Sequence, residues 1–388
     1  MKQETVLSNA RIVLGEQTLR GSVLIRDGVI AGISSGPNAA GEDLDGDYLL
    51  PGLVELHTDH LEYHFNPRPG VQWDPLAAVL ASDAQLAAAG ATTVLDAVRI
   101  GSDPRHSATE SGRSLANAVE QAADAGLLRA DHAIHVRCEV ATEDCLDAFG
   151  QFADDPYVRL VSVMDHTPGQ RQFADIAAFK RYYIGKGRFT EAEFDAYVAP
   201  LRERSARYAD GHRRAIAKLA AQRGITLATH DDATPDHVAE SVGLGARISE
   251  FPTTVLSASL AAERGQRIVS GAPNIVRGGS QSGNVAAAEL LSLGLLHVLS
   301  SDYVPSSSLQ AVFQLAADGV LGLPEGARLT SGNPARAVGL DDRGEIAVGQ
   351  RGDLVRARAH QLPATDRHPH GRSVPVVRSV YRQGTRVC

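Results

Sequence analysis

Residues 49–60 read LLPGLVELHTDH. A Pro51-Gly52 turn opens the short run Leu53-Val54-Glu55-Leu56, and the run stops on His57-Thr58-Asp59. Alternate residues of an extended chain share a side, so His57 and Asp59 face the same way. Short apolar strands ending on ligand-type side chains mark the C-terminal rim of a parallel barrel, where strand ends converge on one mouth. Seven further runs have this texture: TTVLDAV (92–98), AIHVRCE (133–139), RLVSVMDH (159–166), ITLATH (225–230), ARISEF (246–251), RIVSGA (267–272) and HVLSSD (297–302). Helical stretches rich in Ala and Leu follow most of them, such as PLAAVLASDAQLAAAG after the first and SGNVAAAELLSLG after the seventh. Strands alternating with helices call for a parallel sheet. With eight strands, the expected fold class is α/β, a (β/α)8 TIM-like barrel over residues 51–341.

The chain ends read differently. Residues 1–50 and 342–388 hold β-branched runs broken by turns, including GSVLIRDGVIAGISSG with its Asp27-Gly28 hairpin signal and VRSVYRQGTRVC at the end. These two ends are expected to pair into a small flanking β-sandwich. Residues 170–223, after the fourth barrel strand, exceed one crossover helix. Lys180, Arg181, Tyr182, Tyr183 and Lys186 make this insertion a candidate lid.

Composition narrows the classes. The 388 residues are 43% hydrophobic and 22% charged, with 37 Gly and 18 Pro dispersed along the chain, as in a folded globule. A formal net charge of −8 argues against the phosphate attraction that dominates nucleic-acid binding, so no nucleic-acid partner is expected. The Ala-rich stretch 76–100 is interrupted by Asp83 and Asp96 and predicts no membrane span. Three cysteines without framework spacing and a start lacking the features of a secretory signal lead to the expectation of a cytoplasmic protein without disulfides. A homodimer is the oligomeric expectation.

The strand tails carry the chemistry. His57 and Asp59 close the first, Glu139 the third, Asp165-His166 the fourth, His230-Asp231-Asp232 the fifth and Asp302 the eighth. Singly, a strand-end Asp is a helix cap and a strand-end His a hydrogen-bonded surface residue. Jointly they offer the imidazole and carboxylate donors that suit one or two divalent ions, Zn²⁺, Mn²⁺ or Fe²⁺. The expected ligands are His57, Asp59, Glu139, His166, His230 and Asp302. Asp302 is also the expected general base, and Glu139 the expected bridging carboxylate ahead of Glu250 and Asp165. Three loops pair an arginine with Gly or Pro: Pro67-Arg68-Pro69-Gly70, Gly169-Gln170-Arg171-Gln172, and Arg277-Gly278-Gly279. Arginine forks and approachable backbone N–H groups make Arg68, Gln170, Arg171, Arg277, Gly278 and Gly279 candidates for holding an anionic substrate.

The run LLPGLVELHTDHLEYHFNPRPGVQW, with TTVLDAV, RCE, MDHTPGQRQF, ATHDDAT, SEFPTT, GAPNIVRGGSQSGN and SSDY, resembles the PhnM family of the carbon–phosphorus lyase pathway over nearly the whole chain. That family lies in the amidohydrolase superfamily, which implies a metal-dependent barrel with a flanking β-sandwich. The resemblance implies hydrolysis of a phosphorylated sugar phosphonate, α-D-ribose 1-methylphosphonate 5-triphosphate, to its 5-phosphate and pyrophosphate. The pattern departs from the wider superfamily at two points. Asp59 stands where a second histidine is usual, and no strand-end lysine offers a bridging carbamate. The rival reading is an amidohydrolase acting on a cyclic amide, an N-acyl amino acid or a nucleobase, since fold alone does not select the reaction. From another class, a non-catalytic subunit binding phosphonate intermediates would have no need of a complete ligand set.

Overall fold

A computed structural model describes residues 4–102, 108–171, 190–280, 283–365 and 371–388. The chain starts with β1 (Glu4–Val13), β2 (Thr18–Arg26), β3 (Val29–Ser35), β4 (Glu42–Asp43) and β5 (Tyr48–Pro51). Eight barrel strands follow: β6 (Leu53–Glu55), β7 (Ala91–Ile100), β8 (Asp131–Glu139), β9 (Val158–Met164), β10 (Thr226–His230), β11 (Ile248–Glu250), β12 (Arg267–Gly271) and β13 (Val298–Ser300). The chain ends on β14 (Leu354–Leu362), β15 (Arg372–Arg382) and β16 (Thr385–Arg386). All eight barrel strands fall where the sequence predicts them.

β6 to β13 pair in chain order, each parallel to the next. The ring closes just beyond the strands themselves. Asp302 N–H donates to the His57 carbonyl at 3.1 Å and Asp59 N–H to the Asp302 carbonyl at 3.0 Å. The first and last strands are therefore joined through residues of the predicted site.

The barrel interior is filled from below. Val54, Leu95, Leu160, Ala228, Ile248, Val269 and Val298 form one apolar cluster, with Ala133 packed against it and Ala335 and Val338 closing the floor. The strand period of two then puts the next residue up on the same inner face. Ala133 is followed by His135, Ala228 by His230 and Ile248 by Glu250. Apolar floor and polar mouth are consecutive layers of the same strands.

Both chain ends supply the second sheet, in the order β16-β15-β14-β5-β1-β2-β3, with β4 also beside β1. β14 runs antiparallel to β5, pairing Leu354 with Pro51. Leu7, Ile12, Val23, Ile25, Leu49, Leu354 and Tyr381 give this sheet its own core. Buried Asp47 holds Arg356 at 2.7 Å and Arg358 at 2.5 Å, fastening the two ends together. Cys138, Cys145 and Cys388 are free thiols. Among the described residues no helix is long and apolar enough to cross a membrane.

Candidate metal centre and active site

Glu250, at the end of β11, is the hub of the mouth. It is fully buried, with one carboxylate oxygen 3.1 Å from His57 Nδ1 and the other 3.3 Å from His230 Nδ1. β10 and β11 set this contact, since His230 and Glu250 are register partners. His135 Nε2 lies 3.9 Å from the Glu250 oxygen that meets His57. Its other nitrogen is 2.9 Å from the Leu56 carbonyl, which fixes the tautomer with the proton on Nδ1 and leaves Nε2 as a lone pair facing the Ser162 hydroxyl at 2.9 Å. Burial lowers the His135 pKa to about 3, so the ring is neutral as a ligand must be.

Two groups of side chains bring their donor atoms together. His57, His135 and Glu250 form one; His166, His230 and Asp231 form the other, and the donors within each lie within 4.8 Å of one another. Glu250 touches a histidine of both. Asp231 Oδ2 is buried without a hydrogen-bond partner, 3.5 Å from His230 Nε2 and 3.8 Å from His166 Nε2. An orphaned buried carboxylate oxygen is costly unless a cation satisfies it, so this donor set fits a divalent ion with N and O ligands.

Backbone strain marks the same rim. Asp231, Phe251 and Asp302 follow β10, β11 and β13 in the left-handed region, at φ of 58°, 51° and 54°. A non-glycine residue pays for that conformation, and such residues cluster at functional sites. Here the turn aims Asp231 at the histidines and lays the Phe251 ring against His57 and His230, with centroids at 4.9 and 5.2 Å.

The expected ligands separate on inspection. His57, His166 and His230 meet in the mouth, and Asp59 and Asp302 line the same cavity of about 200 Å³. Asp59 lies 4.0 Å from His57 Nε2 and pairs with Arg137 at 2.6 Å. Glu139, the expected bridge, instead cradles His166: its oxygens accept from the His166 backbone at 3.0 Å, meet His166 Nδ1 at 2.7 Å and receive Arg99 at 3.1 Å. Burial alone would raise its pKa, but His166 and Arg99 hold it down to about 2. The carboxylate between the histidines is Glu250. Asp165 faces away, accepting from Ser205 Oγ at 2.8 Å.

None of the six residues expected to hold an anion lines this cavity. Arg171 is 3% exposed and its fork is taken up by Asp232 and Glu240, so it braces the wall beneath the fifth strand end. Arg68 sits in an exposed turn bridged to Val71, and Gln170 is an exposed turn residue. The Gly278 and Gly279 N–H groups cap a short helix, Ala272–Arg277, by donating to the Asn274 carbonyl at 3.2 and 3.0 Å. Arg277 reaches Tyr303 Oη at 3.4 Å and borders a separate cavity of about 570 Å³ with Arg372. Lys180, Arg181, Tyr182, Tyr183 and Lys186 lie outside the described residues.

Sequence reasoning passed over His135, Glu55 and Arg137. Glu55 accepts from the His57 backbone at 3.1 Å and the Ser301 backbone at 2.8 Å, stapling the first strand end to the last. Burial raises its pKa to about 7. The signal for His135 and Arg137 was present in AIHVRCE, where every second residue from Ala133 to Glu139 faces inward.

Known proteins agree with this architecture. A family model described as the amidohydrolase family matches residues 188–388. The chain is 44% identical to the alpha-D-ribose 1-methylphosphonate 5-triphosphate diphosphatase of Escherichia coli (strain K12), over 98% of this chain and 100% of that one. Among solved structures, an N-acetyl-D-glucosamine-6-phosphate deacetylase from Mycobacterium smegmatis is similar at a TM-score of 0.62 and 19% identity, covering 99% of this chain and 100% of its own. A dihydropyrimidinase from Brevibacillus agri NCHU1002 is similar at a TM-score of 0.56 and 16% identity, covering 99% and 95%. At such identities these two share the fold alone. The chain belongs to the amidohydrolase family and, within it, to the PhnM family whose motifs it carries.

Proposed function

We propose that this chain hydrolyses alpha-D-ribose 1-methylphosphonate 5-triphosphate to the 5-phosphate and pyrophosphate, a step of phosphonate breakdown. The observation that carries the reading is 44% identity, along 98% of the chain, to the diphosphatase of that name. The rival amide or nucleobase hydrolase has only the fold in its favour, because the solved structures of that kind are 12–17% identical. Arg171 is committed to Asp232 and Glu240, which removes one of the arginines first assigned to the substrate. Among the described residues, Arg137 at the mouth and Arg277 and Arg372 at the separate cavity are cations that an anion could meet.

His57, His135 and Glu250 would hold one divalent ion, and His166, His230 and Asp231 a second, with Asp59 and Asp302 at the rim. Zn²⁺, Mn²⁺ and Fe²⁺ all suit these donors. A divalent ion there supplies Lewis acidity, acidifying water and neutralising phosphoryl charge. The protein's own groups divide the remaining work. Glu250 orients His57 and His230, while Glu139 orients His166 and keeps its ring fixed. Arg137 places a buried positive charge at the cavity where charge develops on the phosphoryl oxygens. Asp302 takes the proton from the attacking water and returns it to the departing pyrophosphate. Phe251 and Pro252 add an apolar stretch to the cavity wall beside these groups.

Phosphorus NMR tests the reading. Protein loaded with Mn²⁺ or Zn²⁺ should release pyrophosphate from the ribose methylphosphonate triphosphate, and a chelator-treated control should not. Metal-loaded protein that leaves the triphosphate intact would sink it.

A further inference from the structure

The mouth cavity of about 200 Å³ is smaller than the roughly 300–1,000 Å³ that ligands of this size occupy. A sugar triphosphate must therefore extend into adjoining space. Two further cavities differ in chemistry, one linked to the mouth only through Tyr303, whose Oη meets Arg277 at 3.4 Å, and the other sharing residues with it. One, of about 570 Å³, is bordered by Arg277 and Arg372 and suits a charged end. The other is a groove of about 680 Å³ that begins at Asp59 and Tyr303, residues it shares with the mouth, and runs out past His60, Tyr63, Gln85 and Pro305.

Among the described residues no lysine or arginine lines the groove, and the Asp59 carboxylate stands at its inner end. A phosphate placed there would meet the Asp59 carboxylate, whose counter-charge, Arg137, lines the mouth and not the groove. The walls are instead mostly apolar, with Ala88, Ala89, Val304 and Pro305 joined by two tyrosine rings. Those rings are unusually open, Tyr63 at 66% and Tyr303 at 38% exposure. His60 supplies the polar contact. It is 7% exposed and lines the groove, yet neither of its ring nitrogens has a hydrogen bond. The Tyr303 backbone passes beside the ring without reaching hydrogen-bond geometry. A buried imidazole without a partner is costly, and a ligand hydroxyl would remove that cost.

We propose that this groove is the sugar subsite, a reading that rests on the sugar-triphosphate function above. The pentose ring stacks on Tyr63 and Tyr303 and a ring hydroxyl completes His60, while the anionic phosphonate at C1 is left to solvent at the outer end of the groove. His60 is thereby a positioning residue that sets which end of the triphosphate points outward. The triphosphate then runs back across the mouth, with its far end towards Arg277.

Isothermal titration of the metal-loaded protein tests this with D-ribose 5-phosphate and, separately, with pyrophosphate. His60→Phe and Tyr63→Ala should each weaken D-ribose 5-phosphate roughly tenfold while pyrophosphate stays within about twofold, with His60→Asn recovering part of the loss. Equal weakening of both ligands, or of neither, overturns the subsite. Tyr63 is exposed, so its replacement tests the groove even where His60→Phe fails to fold. Binding is read without turnover, so a protein that binds ribose 5-phosphate through His60 but releases no pyrophosphate would sink the diphosphatase reading and leave the subsite standing.

Discussion

Glu250 and Glu139 are both buried acids at strand ends, and only their partners tell them apart. Glu250 stands between His57 and His230, whereas both oxygens of Glu139 are turned to His166 and Arg99. Glu250→Gln should therefore lower bound metal by at least about 100-fold, while Glu139→Gln, acting through the orientation of His166, should cost about 10- to 100-fold. Metal content after dialysis against a graded chelator checks this, and a reversed order would return the bridging role to Glu139. His230→Ala should lose metal and activity together. Asp302→Asn has a different expected signature, with kcat falling about 10²- to 10⁴-fold and KM moving little, because its proton transfer belongs to the transition state. Steady-state kinetics on metal-replete enzyme separate the two, and an Asp302→Asn variant of full activity would remove Asp302 from the chemistry.

The strands were legible because apolar runs of 4–8 residues with turn punctuation leave little choice of structure. So were the strand-end residues that line the mouth, His57, Asp59, His166, His230 and Asp302, since a polar residue there must face the mouth or a cap. His135 was less legible because it sits within a strand, where a histidine reads as core until its neighbours in the barrel are known. The Ser162 hydroxyl and the Leu56 carbonyl that hold it come from other strands. Arg171 failed for a related reason: an Arg beside Gly169 reads as an open loop, and only the fold brings Asp232 and Glu240 to it. Strand ends also carry a prediction of their own. Gly271 closes β12 where an added Cβ would stand 3.2 Å from Asp302 Oδ2, so Gly271→Ala must displace that carboxylate by a few tenths of an ångström. The expected result is a kcat reduced by roughly tenfold with a stability change within about 1 kcal/mol, read from kinetics and denaturant melts of the same preparation. An unchanged kcat would mean that the position of Asp302 is not critical.

Helix, barrel and terminal sheet meet at residues 129–132, away from the mouth. Asp83, on the helix Pro75–Ala88, accepts the Arg129 and Ala130 N–H groups at 2.9 and 3.0 Å and lies 3.3 Å from His132 Nε2. His132 Nδ1 meets Asp96 of β7 at 2.6 Å. From the other side the terminal sheet donates Arg382 to the Ala130 carbonyl at 3.0 Å, and Arg343 and Arg351 reach Asp131 at 3.0 and 2.6 Å. Burial opposes a charge on His132, but Asp96 and Asp83 outweigh it and push its pKa up to about 10. A raised folded-state pKa means the folded protein holds a proton that the unfolded chain releases near 6.5. The stability this gives is therefore complete below that value and is lost as pH rises towards 10. The loss is on the order of a few kcal/mol by linkage. Asp83 acts in the opposite sense, its pKa being lowered mainly by His132 and the Ala130 N–H against the pull of burial, so its contribution disappears only in acid. Urea unfolding at pH 6, 7.5 and 9 should show falling stability across the series. His132→Gln, which leaves buried Asp96 without its cation and Asp83 with only the Arg129 guanidinium at 3.0 Å, should be about 3–5 kcal/mol less stable at pH 6 and approach the parent as pH rises. A parent curve flat from pH 6 to 9, or a variant with the same slope, would show that His132 is not charged in the fold, and the junction would then be held by Arg129, Arg343, Arg351 and Arg382 alone.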